Sequence, residues 1–120
     1  MAEEISPQLQ DQINRLQQLR AQVQIISQQR QQIELQLRET EEALKEIEKT
    51  SENTPIYKSV GAILIKTKGK KEIKEELLSN KETLELRKST LEKQEGRSRE
   101  KLDELQVKVE NAIKLAGKET

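Results

Sequence analysis

The chain has 120 residues, 37% charged and 32% hydrophobic, with Tyr57 its single aromatic side chain, too lean in bulky groups for a globular core. Its 22 lysines and arginines balance 22 aspartates and glutamates, so no net field draws it to nucleic acid or an anionic membrane. It has neither cysteine nor histidine, which removes thiolate zinc sites, disulfides and the commonest general base.

No catalytic residue, metal site or cofactor is expected, and the chain does not read as an enzyme. The N-terminal stretch lacks the apolar core of a signal peptide. No apolar run approaches the ~20 residues that cross a bilayer. A cytoplasmic protein is the expectation, built as one unit over residues 1–120.

Ser6-Pro7 starts the first helix: serine can cap, and proline is tolerated at the first helical position. The helix is expected over residues 6–50. A 3,4 spacing runs through Leu9, Gln12, Leu16, Leu19, Val23, Ile26, Arg30, Ile33, Leu37, Thr40, Leu44 and Ile47. Only Gln12, Arg30 and Thr40 break its apolar character, which argues for a coiled-coil seam. No proline or glycine interrupts it, and the outer face is first glutamine-rich, then rich in Glu and Lys.

Residues 55–67, PIYKSVGAILIKT, alone have strand composition. Gly61-Ala62 fits a two-residue type II′ turn that puts Val60 opposite Ile63. Ile63 and Ile65 fall on one parity, Val60 and Leu64 on the other, so the hairpin wants cover on both faces. A lone hairpin is marginal in water and leaves two unpaired edges. No other stretch reads as strand, so partner chains must complete the sheet.

The second helix is expected over residues 70–116, with Gly117 ending it. Its seam reads Ile73, Leu77, Asn80, Leu84, Arg87, Leu91, Gln94, Ser98, Leu102, Leu105, Val109, Ala112 and Ala116. The steps Gln94–Ser98–Leu102 are 4 and 4, a stutter that would locally unwind a supercoil. Gly96 lies inside it, so this region is expected to be the flexible part of the helix. The two helices should fold back antiparallel, residue i near 120−i, with Leu9 approaching residues 109–113 and Ile47 approaching Ile73.

Other features have plainer readings. Lys68-Gly69-Lys70-Lys71 lacks the spacing and setting of a phosphate loop and reads as a solvated turn. The pairs Glu41-Glu42 and Glu75-Glu76 read as solvated helix-face charges. Tyr57 reads as hairpin packing ahead of a binding anchor, and Arg30 and Arg87 as seam residues that snorkel and fix register. Ile5, Ile13, Val107, Ile113 and Leu115 miss the seam and cluster towards the termini, although Ile25 and Leu35 miss it too. They either thicken the core slightly, or mark simple fraying, or form an exposed apolar tip that touches other molecules.

Tyr57-Lys58-Ser59-Val60-Gly61-Ala62-Ile63-Leu64-Ile65 resembles the Y-[KR]-x-[VI]-G-x-[VIL]-L-[VI] segment of prefoldin beta-class subunits of the archaeal type. The similarity continues through Ile73-Lys74-Glu75-Glu76-Leu77, Lys81-Glu82-Thr83-Leu84-Glu85 and Leu91-Glu92-Lys93-Gln94-Glu95. An alpha-class subunit would carry two hairpins, and there is room here for one. The resemblance implies a mainly α fold: a long antiparallel two-helix coiled coil with one central β-hairpin that joins an intersubunit β-barrel.

It further implies an ATP-independent co-chaperone that holds unfolded client proteins and delivers them to a group II chaperonin. The assembly implied is a heterohexamer of two alpha and four beta subunits. On this chain Ile56, Tyr57, Val60, Ile63, Leu64 and Ile65 would form the oligomer interface. Ile5, Leu9, Ile13, Val109, Ile113 and Leu115 would form the client-binding tip. The rival reading is a structural coiled-coil spacer or tether without chaperone activity.

Overall fold

The computed structural model describes residues 5–118. Their order is α1 (Pro7–Glu48), β1 (Tyr57–Val60), β2 (Ile63–Lys66) and α2 (Lys70–Lys118). Ser6 caps α1 as its chemistry dictates: its Oγ accepts from Leu9 N–H at 3.1 Å, and its carbonyl accepts from Gln10 N–H at 2.9 Å. Pro7 then occupies the first helical position, where no N–H is needed. At the other end Thr50 N–H and its hydroxyl both donate to the Ile47 carbonyl. This tightens the last turn and satisfies carbonyls that the helix itself leaves open.

The chain divides into two compact units, residues 31–89 and the described parts of 1–30 with 90–120. In the terminal unit α1 and α2 pack antiparallel around Leu9, Leu16 and Val109, with Ile13, Leu102, Leu105 and Ala112 against them. Val23 and Ile26 are also buried there. In the central unit Leu37 is buried, and Ile33, Leu44, Ile47, Ile73, Leu77 and Leu84 are half-buried. The two helices of that unit are joined by Lys74 Nζ to Glu48 Oε1 at 2.6 Å. Lys70 Nζ adds a cap on the end of α1, donating to the Thr50 carbonyl at 2.9 Å.

All twelve expected seam positions of α1 are buried or half-buried. The α2 seam differs from its expectation: Asn80, Arg87, Gln94 and Ala116 are exposed, and Lys81, Lys88 and Glu95 take the places of the first three. From Leu77 a row of covered positions runs through Lys81, Leu84, Lys88, Leu91, Glu95, Ser98, Leu102, Leu105, Val109 and Ala112, with Ile73, Lys74, Glu76 and Gln106 covered before or beside it. The steps of that row alternate 4 and 3, so the stretch from Leu91 to Leu102 carries no stutter. Long charged side chains can line a narrow seam with their stems while the heads reach water or a counter-charge. Gly117 also does not end α2, which runs to Lys118; the positive-φ glycines are Gly61 and Gly69.

Candidate functional site

The hairpin is the surface most clearly built for contact. Gly61 has φ of 59°, and no described non-glycine residue, Ala62 included, has a positive φ. That combination is the type II′ turn. The register is Tyr57↔Lys66, Lys58↔Ile65, Ser59↔Leu64 and Val60↔Ile63. Below it the Ile56 carbonyl accepts from Thr67 N–H at 2.9 Å and from the Thr67 hydroxyl at 2.8 Å.

Opposed residues in an antiparallel pair share a face. Val60, Ile63 and Ile65 therefore stand together with Lys58, and Leu64 shares the other face with Tyr57, Ser59 and Lys66. The sequence parity had grouped Val60 with Leu64; the turn brings it to the isoleucines instead. Lys58 Nζ donates to Glu76 of α2, tying the aliphatic face to the helix. Cross-strand hydrogen bonds alternate, and the Ile56–Thr67 bond sets their phase. The backbone groups of Tyr57, Ser59, Leu64 and Lys66 then turn outward along the two edges.

All eight strand residues are exposed, Leu64 at 73%. Ile56 is half-buried at the base of the hairpin. A two-stranded sheet with apolar groups on both faces and open backbone on both edges is a template for further strands.

The six residues expected at the client-binding tip separate sharply. Leu9 and Val109 are buried, Val109 to 4% exposure, and Ile13 packs half-buried against them. As seam positions Leu9 and Val109 are committed to holding the helices together and offer no surface. Ile5, Ile113 and Leu115 are exposed at 51%, 51% and 62%, as is Val107. Leu78 and Leu86 are exposed apolar residues that the spacing argument missed. Their positions off the seam could have flagged them, as it flagged Ile25 and Leu35.

The best-organised polar group is in the terminal unit. Arg30 Nε–H donates to Glu95 Oε1 at 2.6 Å, and Nη2 donates to Oε2 at 3.4 Å. Arg99 Nη2 donates to Glu95 Oε2 at 3.2 Å. The Arg30 hydrogen bond, foremost, holds the Glu95 carboxyl below the ordinary 4.5, against a smaller opposing effect of burial. Glu48 is lowered likewise by its hydrogen bond to Lys74. Among the described residues no group of three or more acidic side chains is placed to hold a metal ion. No described helix is long and apolar enough to cross a membrane.

The sequence model of the family described as Prefoldin subunit matches residues 10–115. The chain belongs to the prefoldin subunit family. It is 46% identical to the prefoldin subunit beta of Archaeoglobus fulgidus over 92% of this chain and 94% of that one. It is 43% identical to the prefoldin subunit beta of Thermococcus onnurineus over the same shares. The crystal structure of the prefoldin beta subunit from Thermococcus strain KS-1 superposes with a TM-score of 0.81 at 38% identity, covering 92% of this chain and 96% of that one. Prefoldin subunits are chaperone subunits that work as oligomers, and the two long helices with one intervening hairpin are the architecture shared with that beta subunit.

Proposed function

We propose that the chain is the beta-class component of a cytoplasmic, ATP-independent holdase of two alpha and four beta subunits. Its work is to hold unfolded proteins and pass them to a group II chaperonin, without catalysis or cofactor. The observation that carries this reading is the hairpin, apolar on both faces and open along both edges. Such a surface is satisfied only when neighbouring chains extend the sheet. Ile56, Tyr57, Val60, Ile63, Leu64 and Ile65 supply that interface.

Client contact falls to Ile5, Ile113 and Leu115, and the half-buried Ile13 packs on the Leu9, Leu16 and Val109 cluster. An exposed aliphatic side chain covered by a client contributes roughly 1–2 kcal/mol, too little to hold a chain alone. Several subunits on one platform raise the effective concentration, so retention comes from number while each contact remains reversible. Release to a chaperonin then requires no nucleotide.

The test combines two measurements. Native mass spectrometry of the chain mixed with an alpha-class subunit should give the hexamer. The triple variant Ile5→Ser, Ile113→Ser, Leu115→Ser should still assemble but lose suppression of client aggregation. Undiminished protection by the triple variant would refute the client surface. A dimer or filament with no protective activity would favour a structural spacer.

A further inference from the structure

Along α2 the terminal unit is unevenly fastened. Leu91 lies on one side and Leu102, Leu105 and Val109 on the other, all covered and apolar. Between them the covered positions are Glu95 and Ser98, neither of them apolar. Gly96 stands in the same turn, inside a continuous helix and without a positive φ. A Cβ built on it would meet nothing within 4 Å. Neither backbone conformation nor close packing requires glycine there, yet glycine weakens a helix interior.

The fastening at this level is electrostatic. Arg30 makes its two hydrogen bonds to Glu95, and its Nη2 also donates to Ser27 Oγ at 3.4 Å. Alongside runs a shallow groove lined by Ala21, Ile25, Ile26, Gln94, Arg97 and Ser98, among others. Ile25 is already exposed, while its neighbours Ile26 and Val23 are covered. At this turn of α2 the covered contact is made between charges, and glycine lowers the helix's own preference there.

We propose that Arg30 and Glu95 form a latch over a yielding segment of α2 centred on Gly96, whose release uncovers Val23 and Ile26 beside Ile25 as an apolar patch. The device is independent of the chaperone reading, because it concerns the free chain with no client present. When the ion pair opens, α2 bends at Gly96 and the patch joins three aliphatic side chains that the latched form keeps apart.

Hydrogen exchange on the full-length chain tests this. In the native sequence, amides of residues 94–98 should be less protected than those of residues 105–109. Gly96→Ala should raise protection over residues 94–98 about fivefold, the ratio set by the helix preference of alanine over glycine, leaving residues 105–109 unchanged. Glu95→Gln should lower protection over the same residues and increase binding of an apolar dye. Because alanine fits the backbone and the space, the decisive variant does not depend on a damaged fold. Equal native protection in the two stretches, no local gain in Gly96→Ala, or no dye response in Glu95→Gln would each overturn the latch.

Discussion

At the scale of single residues, Glu95 shows how a charge can serve a seam that apolar side chains serve elsewhere. It is shielded within a narrow two-helix interface, not sunk in a deep core, so its contribution should be modest. Glu95→Gln should cost about 1.5 kcal/mol at neutral pH, the low end of the range for a hydrogen bond to a charged group. The sign with pH follows from the lowered folded-state value. The stabilisation is fully present above the ordinary 4.5 and is lost as pH falls through the lowered value. Thermal midpoints of the native chain and Glu95→Gln should therefore differ at neutral pH and converge in acid. A constant difference across that range would remove the carboxylate from the account. The same residue marks where the sequence was hard to read. Gln94 and Glu95 are both polar, so hydropathy does not choose between them. The regular 4,3 spacing through Leu91, Ser98 and Leu102 and the pairing with Arg30, 65 positions away along the chain, both select Glu95.

At the scale of elements, the connection from β2 to α2 depends on few groups. Thr67 bonds twice to the Ile56 carbonyl, and its Oγ1 also accepts from Gly69 N–H at 3.2 Å. Gly69 has φ of 121°, open to glycine and strained for any other residue. Glu72 reaches back to accept from Lys68 N–H at 2.7 Å, which completes the start of the helix. Gly69→Ala and Gly96→Ala should then have opposite signs: loss of 1 kcal/mol or more at the first and gain of about 1 kcal/mol at the second. Urea midpoints at unchanged slope would measure both. Two shifts of the same sign would contradict the backbone argument. The hairpin, its turn and its register were legible because Gly61, the β-branched runs and the flanking turn residues act locally. The division of its faces was less so, since Val60 meets the isoleucines only once the turn has closed.

At the scale of the whole molecule, helix pairing and sheet completion are separate tasks. The seam of α1 was readable throughout because its nine apolar positions obey one period, with Ile13, Ile25 and Leu35 beside it. The fate of Leu9 and Val109 was less open to a family likeness than to that same period, which assigns both to the core. Their burial leaves the apolar groups beside the seam as the available surface. Replacing a hairpin residue should therefore affect association without affecting the helices. Leu64→Asp should keep the far-ultraviolet dichroism of the native chain while lowering the mass formed with an alpha-class subunit. Assembly at full mass by this variant would exclude Leu64 from the interface.

Tyr57 has a practical consequence beyond packing. It is the only chromophoric ring in the chain, and it sits in an exposed strand of the hairpin. The near-ultraviolet emission of the polypeptide is thus blind to the long helices and sensitive to whatever covers that strand. Mixing experiments can follow docking by this intrinsic light signal, with no label attached.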